Sequence, residues 1–177
     1  MRKNLLVPTL AAVLALTTSL FAEEPKKPLS PPATAKATIA GKEISIDYSA
    51  PSKRNRVIFG QLVPYGKVWR TGANAATTLH TAANLTIGDL NVPAGTYTLY
   101  TIPTEKDWTL IVNKQNGQWG TDYDEKQDLG RVKLTTAPVR NSVETFVIGI
   151  HPAKGNDGVL TFTWDNVEAS TRFSVRK

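Results

Sequence analysis

From Lys36 onward the chain is a succession of short runs of Val, Ile, Thr, Tyr, Phe and Trp, cut by Gly, Pro, Asn and Asp. Side chains on a strand alternate between two faces, so a run in which every second residue is apolar buries one face and wets the other. ATIAGKEISIDYS reads as two strands around Ala40-Gly41-Lys42, with Ile44, Ile46 and Tyr48 on one face. Gly88-Asp89 turns LTI back onto LNV as a tight hairpin. Pro93-Ala94-Gly95 interrupts the chain before TYTLYTI, and Asn116-Gly117 follows DWTLIVN. RVKLTT, SVETFVIGI, GVLTFTW and STRFSVR complete the set, with turns expected at Asp157-Gly158 and Asp165-Asn166. No window sustains a helical period, and only a turn or two of helix is expected near 58–63 and 124–128. About nine or ten strands at this spacing predict an all-β, single-domain antiparallel β-sandwich, jelly-roll-like or similar, over 35–177.

One segment breaks the rhythm. From Ala50 to Ala75 there is almost no alternation, and irregular connections longer than about 12–15 residues are uncommon unless functional or disordered. Val57, Ile58, Phe59, Leu62, Val63, Tyr65, Val68 and Trp69 make the segment too apolar to stay in water, so it is expected to be an ordered loop packed on the sandwich. Its second half concentrates Tyr65, Trp69, Arg70 and Asn74 around Gly66 and Gly72.

The stretches YSAPSKRNRVIFGQLVPYGKVWRTGAN, VPAGTYTLYTIP, DWTLIVNK and QWG resemble the domain-of-unknown-function family 2911, from about Ser30 to the C-terminal end. The resemblance implies an exported, mostly β bacterial protein of uncharacterised role. The chain departs from the resemblance at Ala75, where Glu is common in the family.

The N-terminal segment reads as a secretory signal peptide over 1–22: Arg2 and Lys3 precede the apolar run LLVPTLAAVLALTTSLFA, which ends on a small residue. Cleavage is expected after Ala22, with Ser19 as an alternative. An uncleaved anchor is disfavoured by Pro8 and by a run that is short for a span of about 20 residues. Residues 23–34 read as a Pro-rich disordered spacer. These signs predict a periplasmic or secreted protein with no stable membrane insertion after cleavage.

The chain has no Cys, which excludes disulfides, thiolate nucleophiles and Cys-based zinc sites. Without Arg2 and Lys3 its formal charge of +6 becomes about +4. Nucleic-acid binders concentrate cations on one face, and no nucleic-acid partner is expected here. The densest basic stretch, SKRNR from Ser52 to Arg56, and the acidic DYDEKQD both read as solvated loops.

Catalytic motifs are absent: there is no H-E-x-x-H and no G-x-S-x-G. The two histidines, His80 and His151, fall in separate predicted strands, and His80 is the catalytic candidate. Asp122, Asp124 and Asp128 have a spacing near that of a calcium loop, without its glycine and terminal Glu, and are the metal candidates. No motif implies a cofactor. Binding is better served. Aromatic rings offer an apolar face with a polar edge, and Arg and Asn add directional donors. Tyr65, Trp69, Arg70 and Asn74, with Trp119 and Tyr123 from a second loop, are the ligand-binding candidates. Trp69 is also open to a purely structural reading as a core plug, and Arg70 to one as a group bonded to buried carbonyls. Arg70 is the sharper candidate. A cation beside a buried ring is costly unless paired, and no acidic residue lies between Asp47 and Asp89. The expected role is a non-catalytic exported domain that binds a small or carbohydrate-like ligand through the 50–75 loop. A cell-envelope hydrolase or isomerase and a purely structural envelope protein are the alternatives.

Overall fold

A computed structural model of the chain describes residues 28–176. The signal-peptide reading therefore lies outside the described residues, as do residues 23–27 of the spacer reading.

The chain is all-β. Its strands are β1 (Pro32–Ile39), β2 (Lys42–Ser49), β3 (Thr78–Thr81), β4 (Leu85–Ile87), β5 (Leu90–Val92), β6 (Gly95–Pro103), β7 (Trp108–Asn113), β8 (Asp128–Pro152) and β9 (Asp157–Val175). Among the described residues a single 3-10 turn, Glu125–Gln127, precedes β8. β1 starts inside the stretch read as spacer: Ala33 and Thr34 pair with Tyr48 and Asp47 of β2. The hairpins at Ala40-Gly41 and Gly88-Asp89 close two-residue turns as the sequence predicts, with Ile39 opposite Lys42 and Ile87 opposite Leu90.

All nine strands form one antiparallel sheet in the order β1-β2-β3-β6-β7-β8-β9-β4-β5, and it does not close into a barrel. β8 makes this possible. Its first part pairs with β7, from Asn113↔Asp128 to Trp108↔Leu134, and its remainder pairs with β9, from Thr135↔Ser170 to Pro152↔Gly158. One long strand thus belongs to both arms of a folded sheet. Ile44, Leu79, Leu99 and Val112 from one arm meet Leu85, Phe146, Phe162 and Trp164 from the other in a single buried core.

Two expectations are corrected at this corner. RVKLTT and SVETFVIGI are one strand, and so are GVLTFTW and STRFSVR. Asp165-Asn166 is not a chain reversal. Register slips between Pro138 and Val143, and again before Val147, leave extra residues on β8, and Asp165 takes φ +52° opposite them. This is a bulged corner, which bends and twists a strand without ending it. The reversal expected at Asp157-Gly158 lies earlier, over Lys154–Asn156, with Gly155 at φ +68°.

The irregular segment after β2 is tied to both arms. Near its start, Lys53 N–H donates to Glu144 O (2.8 Å) and Phe146 N–H to Pro51 O (2.9 Å). Further on it runs beside β6, past the end of β3. Leu99 N–H donates to Thr77 O, Trp69 and Thr101 exchange two backbone bonds of 2.7 and 2.9 Å, and Gly66 N–H donates to Pro103 O. The segment thereby completes the hydrogen-bonding edge of β6 that β3 is too short to cover. Ile58 and Val63 are buried as expected, but Val57, Leu62, Tyr65 and Val68 remain exposed.

Candidate functional site

The two-bond exchange between Trp69 and Thr101 fixes which way the neighbouring side chains point. Trp69 faces the core. It stacks on Trp164 (centroids 5.8 Å apart, planes at 16°) and meets Phe59, Trp108 and Phe146 edge-on, the last at 5.0 Å. Alternation along an extended segment then sends Arg70 to the opposite side. There it lies against the face of β6 that carries Tyr100, beneath the segment 118–123.

Arg70 makes no hydrogen bond and no ion pair among the described residues, and its Nε is buried with no partner. A buried N–H left unpaired costs about 1–3 kcal/mol, and native proteins rarely leave one so. Gly120 contributes to the arrangement. A Cβ at that position would fall 2.6 Å from Arg70 Cδ and 2.7 Å from Asn74 O, so only glycine lets the guanidinium stem pass.

Two open clefts share Leu62, Val63, Trp69 and Arg70 as walls. The first, about 470 Å³, is completed by Lys67, Val68, Tyr100, Gly120, Thr121 and Tyr123. The second, about 340 Å³, adds Arg54, Arg56, Asn74 and Trp164. Both volumes fall in the range of about 300–1,000 Å³ usual for small-molecule sites. Among the described residues no Asp or Glu lines either one.

The candidate residues divide around this centre. Trp69, Arg70 and Tyr123 line the first cleft, and Asn74 joins Trp69 and Arg70 in the second. Asn74 sits at φ +58° and donates weakly to Ser30 O at 3.4 Å. Tyr65 lies apart, in a hollow of about 220 Å³ with Phe59 and Trp108, its ring over Gly60. Trp119 is more than half exposed and pairs through its backbone with Ala75; its neighbours Gly120 and Thr121 line the first cleft and its own side chain does not.

Tyr123 is held in a polar network. Its ring meets Tyr100 edge-on at 4.9 Å. Its hydroxyl donates to Asp128 Oδ2 (2.8 Å) and accepts from Arg131 Nη2 (3.0 Å). Burial, with the Asp128 carboxylate beside it, pushes the phenol up to about 12. Gln118 spans Thr98 Oγ1 and Tyr100 Oη through its amide N–H groups, at 3.1 Å each, and leaves its Oε1 buried without a partner.

The other candidates are engaged elsewhere. Asp128 accepts from Asn113, Tyr123 and Arg131, and Asp124 caps the 3-10 turn by accepting from Lys126 N–H. With Asp122 they do not converge, and among the described residues no cluster of three His, Asp or Glu side chains is arranged to hold a metal. His80 lies on the outer face of the sheet, half exposed, with Nε2 3.4 Å from Asp47 Oδ2 and Nδ1 3.1 Å from Thr96 Oγ1. The shallow hollow beside it shares no residue with the two clefts. His151 Nε2 is 3.1 Å from Thr161 Oγ1 at the end of β8.

Sequence reasoning missed Arg54, Arg56, Lys67 and Tyr100. The basic density of SKRNR was the available signal for the first two, but only the fold brings Arg54 and Arg56 to the same cleft as Arg70.

A family model described as a protein of unknown function (DUF2911) matches residues 30–173. No curated protein and no solved structure matches the chain.

Proposed function

We propose that this chain, which belongs to the DUF2911 family of proteins of unknown function, is an exported, non-catalytic binding protein that takes a small or carbohydrate-like ligand in the clefts around Arg70. The observation that carries the reading is the guanidinium of Arg70, which has a buried Nε and bonds to nothing among the described residues. Around it stand the types of group that hold a sugar-sized molecule: the half-buried ring of Tyr123 and the amide of Asn74. The loop that presents Arg70 is pinned by backbone bonds to β6 and β8, so the site exists before a ligand arrives and little ordering entropy opposes binding.

A thermal-shift screen of the purified protein against neutral sugars, acidic sugars and short carboxylic acids tests this. A ligand that raises the melting temperature of the wild type and has no effect on Arg70→Ala supports it. A flat response across the whole set contradicts it and favours a structural envelope protein. Export is tested by fusing 1–22 to a reporter that is active only outside the cytoplasm.

An envelope hydrolase or isomerase is the second reading, and the line Asp47–His80–Thr96 is what favours it. The line lies on an open sheet face rather than in the clefts. Hydrolysis of activated esters by the wild type that is lost in His80→Ala would move the function there.

A further inference from the structure

Three arginines line the second cleft, and no carboxylate among the described residues lines it with them. Arg54, Arg56 and Arg70 all border it. None of the three is in an ion pair among the described residues, where Lys36, Lys53, Arg131 and Lys133 each have an acidic partner. Their bonding is unequal in an informative way. Arg56 gives Nε–H to Lys53 O (2.9 Å) and an Nη2–H to Ser52 O (2.7 Å). These bonds hold its guanidinium still and leave Nη1 free. The side chains of Arg54 and Arg70 donate to nothing among the described residues.

Like charges brought to one hollow repel each other; Glu144 Oε1, which accepts from Arg54 N–H at 2.8 Å, sits beside one of them without lining the cleft, and no Asp or Glu among the described residues lines it. The backbone also meets a strain cost to build the corner: Arg54 and Asn55 both take left-handed φ values, +49° and +59°. This turn returns the chain so that Arg56 N–H reaches Lys53 O, and it sets Arg54 and Arg56 at the mouth of the cleft that Arg70 closes.

We infer that this cleft binds an oxyanion, the carboxylate or phosphate of an acidic sugar-sized ligand. The inference rests on the cleft being the ligand site proposed above, and it names the chemistry of what enters. Guanidinium groups take such oxygens through paired N–H bonds that are roughly twice as strong as neutral ones. Arg70 supplies the buried contact and Arg56 a pre-oriented one. Arg54, which is exposed, draws the anion in. The neutral part of the ligand then lies along Leu62, Val63 and Trp69, the walls shared with the first cleft.

Calorimetric titration of the wild type with glucuronate, glucose 6-phosphate, orthophosphate and glucose, at low and at moderate salt, tests the inference. An acidic sugar is expected to bind at least about tenfold tighter than glucose, because a hydrogen bond to a charged group is roughly twice as strong as a neutral one. Its affinity is expected to fall with added salt, as exposed charge interactions do. Arg54→Gln, at an exposed position, is expected to weaken it about two- to fivefold with the melting temperature unchanged. Arg70→Lys, which keeps the charge and loses the fork, is expected to weaken it more. Preference for glucuronate over glucose 6-phosphate assigns a carboxylate, and the reverse assigns a phosphate. Equal, salt-independent binding of glucose and glucuronate, untouched by Arg54→Gln, overturns the oxyanion and leaves the cleft reading standing. No binding of any of the four by a folded protein overturns the inference, and if the wider screen of sugars and acids is also flat the cleft reading falls with it.

Discussion

Arg70 is placed at a cost to stability. Its stem passes through a gap that exists only because residue 120 is glycine, and its Nε is buried without a partner. Replacing such a group by an apolar one of similar shape removes the desolvation penalty. Arg70→Met is therefore expected to stabilise the fold, by up to about 1–3 kcal/mol in urea unfolding, while abolishing ligand binding. A purely structural arginine would show the opposite sign. A second residue-scale prediction concerns Tyr123. Its phenol is raised to about 12 in the folded protein against an ordinary value of 10.0, so the fold favours the protonated form. That contribution is complete below the ordinary value and is lost as pH rises through 12. Burial raises Tyr97 and Tyr100 as well, so absorbance titration of the wild type against Asp128→Asn isolates Tyr123: the substitution is expected to bring part of the late-ionising tyrosine signal down in pH. The sequence made Trp69 and Arg70 visible as candidates, because bulky and charged groups beside two glycines are hard to explain in a plain loop. It gave no means of choosing between plug and ligand contact. The structure divides the roles between the two residues: Trp69 is packed on four aromatic rings, and the Arg70 side chain bonds to nothing among the described residues.

At the scale of elements, the irregular 50–77 segment behaves as a substitute strand. Its bonds to β6 extend the ladder where β3 stops, and Trp69 nails it to the core between Phe146 and Trp164. Trp69→Ala is expected to cost about 3–5 kcal/mol of global stability, as large aromatic deletions do, and to expose Gly66–Thr77 amides to hydrogen exchange. A decorative lid would lose protection locally with the global value unchanged. Strands such as β2 and the β4–β5 hairpin were legible because alternation and a two-residue glycine turn are local signals. The joining of RVKLTT to SVETFVIGI was not. Asn141 and the Asp165-Asn166 pair carry turn chemistry, and a bulge uses the same residues as a reversal. What makes it a bulge is pairing with a strand more than twenty residues away, which no window of sequence contains. Arg54 and Arg56 were read as solvated for the same reason. Their neighbours in sequence are polar, and their neighbours in space belong to Trp69–Asn74.

For the whole molecule, one tie between the loop and the bulged corner sets a pH dependence. Lys53 Nζ bonds Asp165 Oδ1, and Ser142 Oγ donates to the same oxygen at 2.8 Å. Burial works against the Asp165 charge, but Lys53 and Ser142 outweigh it, and the carboxyl is held below its ordinary 3.8. A carboxyl lowered by folding adds stability that is present above the ordinary value and is lost as pH falls through the folded one. Lys53→Met is expected to reduce the stability difference between pH 7 and pH 3, measured by urea unfolding. An unchanged difference would place the acid sensitivity elsewhere. This tie holds the corner of β8 and β9 against the start of the loop, so it also holds Arg54 and Arg56 where they meet the cleft.

The guanidinium of Arg70 lines both clefts, buries its Nε and bonds to nothing among the described residues. The Nε–H resonance of Arg70 reports this directly, and its assignment follows from its loss in Arg70→Lys. This resonance is expected to move saturably as glucuronate or glucose 6-phosphate is added, and glucose to move it far less. A resonance that stays in place while other signals of the protein titrate would put the ligand elsewhere and contradict a site at Arg70.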